Sequence, residues 1–271
     1  MPQAKPKPKK SLGQNFLIDR GVVRDLIEAA ELSRDDTVLE VGAGTGAVTA
    51  ELARRAGRVI AVEFDRDLIP LLEENLGKVG DVEIINADIL SLDPQPLLRS
   101  PRFKVVGSIP YQITSPLIHQ ILRAKVLPES ITLIVQKEVA EKIAARPPKA
   151  TYLANFVSRF GEARVVRTIK PGAFRPAPKV DSAILKIEID EKPPTPDHRF
   201  EKFLHHGFAS PRRMIRHRFP EEVLKTAQVD PRARPAHLTK EDWRRLYREL
   251  GQSQDRSKGR RGGGVWIKTG A

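Results

Sequence analysis

Short apolar runs alternate with amphipathic stretches along the first half of the chain. The runs predict five strands, over residues 37–41, 58–62, 82–85, 104–106 and 131–135. Apolar residues at helical spacing predict helices over 19–32, directly after residue 46, over 68–76 and over 117–124. Strands that alternate with helices are typical of a parallel sheet covered on both faces. We therefore expect an α/β fold with a mostly parallel, doubly wound sheet.

The pattern changes near residue 190. Residues 182–189 alternate partly, which predicts a late strand whose direction, parallel or antiparallel, stays open. A Pro-rich linker over 191–196 follows, and helical patterns recur at about 198–209, 220–227 and 239–250. We expect a first domain over 11–191, a small C-terminal helical domain over 196–250, and disordered basic ends over 1–10 and 251–271.

Composition excludes several classes of protein. The chain has no cysteine, so disulfides and thiolate metal sites are excluded, and its six histidines show no metal-ligand spacing. No apolar run approaches the roughly 18 residues of a membrane span. The N-terminus lacks the apolar core of a signal peptide. We expect a cytoplasmic protein without a metal or a membrane partner.

The net charge of +13 is concentrated at the two ends of the chain. Residues 1–10 contain four lysines and no acid, residues 11–195 contain 25 basic and 25 acidic side chains, and residues 196–271 contain 18 and 9. Basic surfaces attract polyanions by releasing their counterions. This distribution favours a nucleic-acid partner over solubility alone, and no amphipathic anchor accompanies it to favour a membrane.

A glycine-rich turn follows the first predicted strand. Gly42, Gly44 and Gly46 precede a predicted helix, where glycines let the backbone approach a ligand. A single residue separates the last two glycines, whereas the usual dinucleotide fingerprint has two. No Gly-Lys-Ser/Thr follows, which excludes a P-loop. The turn predicts a nucleotide site, although such turns also serve helix packing.

Two carboxylates make the ligand more specific. Glu63 ends the second predicted strand, 21 residues after Gly42, where an acidic side chain can bind both ribose hydroxyls. Asp88 lies at the end of the third, where it can accept a hydrogen bond from an adenine amine. Since parallel strands end at one edge of the sheet, these groups should form one concave site. An adenosine-containing ligand is favoured, and NAD stays possible from these residues.

A third segment falls at the same edge of the predicted sheet. Residues 107–111, Gly-Ser-Ile-Pro-Tyr, resemble the Asn-Leu/Ile-Pro-Tyr motif of ribosomal RNA adenine-N6 dimethyltransferases. Residues 11–17, 136–140 and 171–182 resemble further motifs of that family, in the same order. The resemblance extends to about residue 250 and is greatest to the small-subunit, kasugamycin-sensitivity type.

The resemblance implies a Rossmann-like methyltransferase domain with S-adenosylmethionine as cofactor. The cofactor-binding residues that it implies are Asn15, Leu17, Gly42, Gly44, Glu63, Asp88 and Ser108. The catalytic residues that it implies are Ser108, Pro110, Tyr111 and Phe174. Tyr111 and Phe174 are expected to clamp a flipped base. The implied reaction is dimethylation of two adjacent adenines near the 3′ end of 16S rRNA, in a 30S subunit or its precursor, by a monomer.

Ser108 departs from the family pattern, which has Asn at this position. An adenine N6 is a poor nucleophile because its lone pair is delocalised into the ring. In the family, the Asn side-chain oxygen and a backbone carbonyl accept the N6 hydrogens, so catalysis comes from positioning and oriented dipoles. The shorter Ser hydroxyl is either a tolerated replacement, the cause of slower transfer, or a sign of a protein retained chiefly to bind a pre-ribosomal particle, and all three interpretations stay open.

A basic run follows the first helix of the C-terminal part. The resemblance assigns RNA contact to Arg212, Arg213 and Arg216, which would grip phosphates without reading sequence. Two other functions stay open: a macrolide-resistance enzyme that methylates one adenine of 23S rRNA, and a non-catalytic ribosome-assembly or transcription factor with this fold. The C-terminal helical pattern favours the small-subunit enzyme over its 23S relative.

Overall fold

The computed structural model describes residues 8–98, 100 and 102–258, which fall into two compact units. The first unit contains the residues up to 144 and residues 160–196, and the second contains residues 145–159 and those from 197 onwards. The strands of the described chain are β1 (Phe16–Leu17), β2 (Thr37–Val41), β3 (Arg58–Glu63), β4 (Val82–Asn86), β5 (Lys104–Ser108), β6 (Ser130–Gln136), β7 (Gly161–Ile169), β8 (Phe174–Arg175) and β9 (Ser182–Ile189). The α-helices are α1 (Arg20–Ala30), α2 (Ala47–Arg55), α3 (Ile69–Leu76), α4 (Thr114–Arg123), α5 (Lys137–Ile143), α6 (Tyr152–Ser158), α7 (His198–Phe208), α8 (Glu221–Thr226) and α9 (Lys240–Lys258).

Seven strands form the central sheet of the first unit, in the order β4-β3-β2-β5-β6-β9-β7. Five of them, from β4 to β6, run parallel, and β9 pairs antiparallel with both β6 and β7. The mostly parallel, doubly wound sheet predicted from the sequence is confirmed. The late strand over residues 182–189 is the antiparallel one.

The sheet forms because its inner strands are apolar on both faces. Every residue of β2 and β3 is buried, as a strand covered by helices on both sides requires. Helix α1 covers part of this surface with Val22, Leu26 and Ile27. It begins where the Asp19 carboxylate accepts the amides of residues 21 and 22, at 2.8 and 3.1 Å. The predicted helix over 19–32 therefore has a defined start.

The chain changes direction across the sheet between β2 and β5. From β2 it proceeds outward through β3 to β4, and then returns to place β5 on the other side of β2. Ligands of such sheets bind in the crevice outside the carboxyl ends of the strands at this point. Gly42 follows β2 and Ser108 ends β5, so the glycine turn and the Ser-Ile-Pro-Tyr segment lie beside this crevice.

Strand β7 was not predicted from the sequence. It is the edge strand of the sheet, and charged residues such as Glu162, Arg164 and Arg167 alternate irregularly with apolar ones. A register shift between Val165 and Arg167 breaks the two-residue period. An edge strand with solvent on one side therefore lacks the continuous apolar run that marks β2 or β6.

The second unit is helical and has an aromatic core. Trp243 of α9 is 1% exposed, and its ring contacts Phe203 and Phe208 of α7 and Phe219. Tyr247, one turn along α9, contacts Phe203 from the same face. The predicted helices of this region are present as α7, α8 and α9.

The observed division of the chain differs from the expected one in three places. Residues 145–159, including α6, belong to the second unit, because Tyr152 and Arg159 place their side chains against the rings of α7. Residues 8–10 are ordered, with Lys9 bound to Asp65. Helix α9 continues through residue 258 and so extends into the expected tail. The remaining residues assigned to disordered ends, 1–7 and 259–271, lie outside the described residues.

Glu40 lies in the middle of β2 and is 0% exposed. Neither of its carboxylate oxygens has a hydrogen bond of acceptable geometry. Burial raises the pKa of Glu40 from 4.5 to about 8, the nearby Thr49 hydroxyl opposes this shift, and the charge of Glu63 adds to it. A buried carboxyl group without partners is therefore kept neutral by its surroundings.

This pKa predicts a pH-dependent loss of stability. Between 4.5 and about 8 the unfolded chain has lost the Glu40 proton while the folded chain keeps it. The free energy of unfolding should therefore fall as the pH rises, by about 1.4 kcal/mol per pH unit from this group. Glu40→Gln removes that slope. In urea unfolding, the free energy of unfolding of the variant should therefore rise relative to that of wild type from about pH 5 to about pH 8. The exposed Glu74→Gln is the control, and parallel pH profiles for wild type and Glu40→Gln would contradict the prediction.

Candidate active site

A cleft of about 270 Å³ opens at the carboxyl edge of the sheet, beside the point where the chain changes direction. All of its lining residues belong to the first unit. Most come from the segment that leads into β1, the ends of β2 to β5 and the start of β8: Ser11–Phe16, Val41, Gly42, Gly44, Val62–Phe64, Ala87–Leu90, Ser108–Ile113 and Phe174, with Leu68 and Ile134 in addition. The crevice predicted from the sequence is therefore a real cavity, and it brings together the predicted cofactor-binding and catalytic residues with one exception.

The exception is Leu17, which does not line the cleft. Its side chain is 7% exposed and belongs to the hydrophobic core. Its neighbour Asn15 does line the cleft, and the Asn15 amide donates to the Gly13 carbonyl at 3.0 Å. Leu17 pairs with Phe174 across the two short strands β1 and β8, so it holds Phe174 at the cleft wall. The Leu17 side chain therefore supports the wall, and the assignment of this residue to the cofactor stays a prediction that would need a backbone contact.

The backbone at the crevice is too close for a larger residue than glycine. A Cβ on Gly42 would lie 3.1 Å from the Ser108 carbonyl oxygen, and the φ of Gly42 is +77°. A Cβ on Gly107 would lie 2.3 Å from the Val41 carbonyl oxygen. These glycines allow β2 and β5 to approach, and the turn after β2 stays open to a ligand.

Glu63 is held in a fixed orientation at the end of β3. Its Oε2 accepts the Gly44 amide at 2.8 Å, and its Oε1 accepts the Asp65 amide at 2.7 Å. Burial raises the pKa of Glu63, and the two amides, which favour the charged form, oppose that shift. Each carboxylate oxygen keeps a lone pair for another donor, as the cis-diol of a ribose requires.

The next strand end supplies groups suited to an adenine ring. Strand β4 ends at Asn86, two residues before Asp88, which is exposed and lines the cleft. The Asp88 carboxylate accepts the Leu90 amide at 2.9 Å, which fixes its direction. Phe64, 59% exposed, and the buried Ile89 provide apolar surface on the same wall. The two carboxylates, the apolar side chains beside them and the open glycine turn together fit the nucleoside part of S-adenosylmethionine.

The Ser-Ile-Pro-Tyr segment forms the opposite wall. Ser108 and Pro110 are half-buried, and the Ile109 amide donates to the Ile134 carbonyl at 3.4 Å. The Tyr111 hydroxyl lies 2.6 Å from the Ser182 hydroxyl, at the start of β9. Burial raises the pKa of Tyr111, and the Ser182 hydroxyl opposes the shift. Tyr111 is therefore a neutral aromatic ring fixed at its far end.

Several residues of the site were missed by the sequence analysis. Asp65 and Gln112 connect the segment before β1 to the cleft walls, Ser182 holds Tyr111, and Phe64 adds an exposed ring. A carboxylate two residues after Glu63 was a visible signal. The role of Ser182 depends on a partner 71 residues away in the sequence, which no local pattern reveals.

The arginines assigned to RNA lie in the second unit. Arg212 and Arg213 occupy a turn after α7, and Arg216 lies in a short 3₁₀ helix, so the basic run follows the first helix of this part as the sequence indicated. All three are exposed, and none has an ion pair within the described part of the chain. The buried Ile215 anchors the loop through its amide, which donates to Ala233 at 2.7 Å.

Neither a metal cluster nor a membrane-spanning helix was found in the part of the chain that the structure describes. No group of three or more His, Asp or Glu side chains is arranged there to hold a metal ion. No helix there is long and apolar enough to cross a membrane.

The fold and the cleft define a Rossmann-like methyltransferase that uses S-adenosylmethionine. Comparison with known proteins gives the family. The model of the ribosomal RNA adenine dimethylase family matches residues 5–252, and the chain belongs to that family. The protein is therefore an rRNA adenine dimethyltransferase.

Individual relatives agree with this assignment. The chain is 38% identical to the ribosomal RNA small subunit methyltransferase A of Dehalococcoides mccartyi strain CBDB1, over 90% of this chain and 88% of the relative. It is 41% identical to the protein of that name from Clostridium botulinum strain Langeland, over 69% of each chain. The crystal structure of the 23S rRNA methyltransferase ErmE is 33% identical, with a TM-score of 0.73 over 88% of this chain and 100% of ErmE. A dimethyladenosine transferase from Plasmodium falciparum shares the fold, with 24% identity and a TM-score of 0.78 over 88% of this chain and 98% of its own.

The bond between Tyr111 and Ser182 makes a testable prediction. Ser182→Ala and Tyr111→Phe each remove one hydroxyl from the pair, and each should lower kcat about three- to tenfold while KM for S-adenosylmethionine stays unchanged. The double variant should be no slower than the slower single one.

A second readout separates positioning from a general loss of structure. The Ser182 hydroxyl lowers the pKa of Tyr111. Ultraviolet titration of Ser182→Ala, with Tyr111→Phe as the reference spectrum, should therefore show a higher Tyr111 pKa than in wild type. Independent, additive losses of kcat with an unchanged Tyr111 pKa would contradict the prediction.

Proposed function

We propose that this protein dimethylates N6 of two adjacent adenines near the 3′ end of 16S rRNA, in a 30S subunit or its precursor. The observation that carries the proposal is that the Ser-Ile-Pro-Tyr segment lines the same cleft as Glu63 and Asp88. Relatives that span nearly the whole chain bear the small-subunit name, which supports the choice of subunit. We place the enzyme in the cytoplasm, where ribosomal RNA is found, and propose that it acts as a monomer.

We assign the cofactor to the wall formed by the glycine turn and the two acidic strand ends. Gly42 and Gly44 leave space beside the backbone, Glu63 accepts the ribose hydroxyls, and Asp88 accepts the adenine amine. The segment before β1, which includes Asn15, forms a further wall of the cofactor site. When bound, S-adenosylmethionine supplies an activated methyl group, so the chain itself needs to position the acceptor.

Positioning of the target amine falls to the opposite wall. The Ser108 hydroxyl and a backbone carbonyl of the same segment accept the two N6 hydrogens, which turns the nitrogen lone pair towards the methyl group. Pro110 fixes the backbone φ of this segment. The flipped base stacks against Tyr111 and Phe174, which line the same cleft. Water solvates the proton that leaves N6 after transfer.

Ser108 suffices for this role in our proposal. The backbone carbonyl of Ser108 packs closely against Gly42, so the position of the segment does not depend on the Ser108 side chain. A hydroxyl accepts one hydrogen bond as the Asn carbonyl does, although its reach is shorter. Ser108 therefore preserves the hydrogen bond to N6, although its side chain is shorter than that of Asn.

A second candidate, methylation of one adenine in 23S rRNA, is favoured by one observation. ErmE, a 23S rRNA methyltransferase, matches this chain over its whole length with 33% identity. Higher identity to the small-subunit relatives makes 16S rRNA our preferred substrate.

Mapping the modified adenines tests the proposal. Wild-type protein, under-methylated 30S particles and S-adenosylmethionine should give primer-extension stops at two adjacent adenines near the 3′ end of 16S rRNA. Stops in 23S rRNA alone, or cofactor binding without transfer, would overturn it. Glu63→Ala, which removes the ribose carboxylate, is the negative control.

The same assay measures the effect of Ser108. We expect Ser108→Asn to change the rate by less than about threefold, which corresponds to less than about 0.7 kcal/mol in the barrier. A rate gain of a hundredfold or more in Ser108→Asn would show that the native hydroxyl is a poor substitute.

The exposed arginines of the second unit are our proposed phosphate contacts. Replacing Arg212, Arg213 and Arg216 by Ala should weaken binding to 30S particles and lower the slope of log K against log salt by about two to three. Binding can be measured by filter retention between low and moderate salt. The exposed Arg20, on α1 of the other unit, gives a matched control when replaced by Ala. A salt dependence unchanged in the triple variant would refute this assignment.

A further inference from the structure

The segment before β1 forms one wall of the cleft and is fastened at its beginning by a cluster of polar contacts. The Lys9 ammonium donates to the Asp65 carboxylate at 2.6 Å, and the Gln14 amide donates to the other oxygen of Asp65 at 2.6 Å. The Lys9 amide in turn donates to the Gln14 side-chain oxygen at 2.7 Å. Lys9, Gln14 and Asp65 thus form a closed ring of hydrogen bonds, which we call the clasp.

The clasp has an asymmetric environment. The Asp65 side chain is 4% exposed, whereas that of Lys9 is 41% exposed. Burial raises the pKa of Asp65, but the hydrogen bonds from Lys9, Gln14 and the Asp67 amide outweigh this, so its pKa is lowered. Lys9 also contacts Asp67 at 2.7 Å, but the Asp67 side chain is 76% exposed and water competes for this pair. The contact with the buried Asp65 is therefore the important one.

The clasp is joined directly to the cofactor carboxylate. The Asp65 amide donates to Glu63, two residues earlier, at 2.7 Å. The backbone of Asp65 thus orients Glu63, the proposed ribose-binding group, and its side chain holds the segment before β1. The segment between Lys9 and β1 includes Ser11–Asn15, which line the cleft together with Phe16 of β1.

The far end of the same segment is fastened to the substrate side. Gln112, next to Tyr111, donates to the Leu12 carbonyl at 3.3 Å. Phe16 and Leu17 pair with β8, which carries Phe174. The segment is thus a strap that is held by the sheet at one end, by Gln112 in the middle and by the clasp at the other end.

We propose that Asp65 is a positioning residue that clasps the strap over the bound cofactor and so limits how fast cofactor and spent product dissociate. This inference rests on the proposed cofactor site. The release of Lys9 and Gln14 would leave the strap held only at Gln112 and β8, so the wall over the ribose could move away. Two methyl transfers to each adenine need repeated exchange of product for fresh cofactor, and the clasp acts on that exchange.

The test measures dissociation of S-adenosylmethionine and S-adenosylhomocysteine from the full-length chain by surface plasmon resonance. Lys9→Met should raise both dissociation rates about three- to tenfold, and Asp65→Asn should raise them at least as much. The double variant should match Asp65→Asn, because both changes break one contact. Lys9→Arg keeps the charge and the donors and should retain most of the wild-type residence time.

Lys10→Met is the matched control, since Lys10 is the adjacent lysine, is exposed and has no ion pair among residues 8–98, 100 and 102–258. Both ligands should dissociate from Lys10→Met at the wild-type rate. Hydrogen exchange should show faster exchange at amides 9–16 in Lys9→Met, with the amides of β2 and β3 unchanged. A Lys9→Met dissociation rate equal to that of Lys10→Met, or additive effects of Lys9→Met and Asp65→Asn, would overturn the clasp. Failure of wild type to bind either ligand would instead overturn the proposed cofactor site.

Discussion

The structure depends on the close approach of β2 and β5 at the point where the sheet changes direction. Two glycines make it possible, since a side chain at Gly42 or Gly107 would meet a backbone carbonyl of the opposite strand. Because the strands are neighbours, the glycine turn after β2 and the Ser-Ile-Pro-Tyr segment after β5 begin within contact of each other. In the proposed function, the backbone therefore aligns the donor and the acceptor of the methyl group, and the side chains refine that alignment.

Electrostatics on this edge of the sheet are arranged around buried carboxylates. Two backbone amides donate to the Glu63 carboxylate and favour its charged form. Glu40, one strand away, accepts no such amide and stays protonated at neutral pH. Placing two charges so near each other in a buried sheet would be costly. A neutral Glu40 therefore places no second negative charge beside Glu63 in the interior of the sheet.

The sequence predicted the parallel strands well because β2, β3 and β6 are continuous apolar runs, and it predicted Glu63 because the residue ends such a run. It did not predict β7, whose charged residues face solvent at the sheet edge. The sequence could not show that the Leu17 side chain is in the core, because a motif does not reveal which way a side chain points, and its assignment to the cofactor stays a prediction. Ser182 depends on a contact distant in sequence, and such contacts become visible only when the chain is folded.

Helix α6 has a consequence for how the protein can be divided. The chain leaves the sheet-containing unit after residue 144, contributes α6 to the helical unit, returns at residue 160 and leaves again after residue 196. The helical unit is therefore an inserted piece and a C-terminal piece folded together, with Phe156 and Val157 of the insert buried. Cutting the chain at residue 196 would strand α6 with its apolar face uncovered. Exchange of the helical unit between relatives would thus require two simultaneous replacements, so the two units are constrained to evolve together.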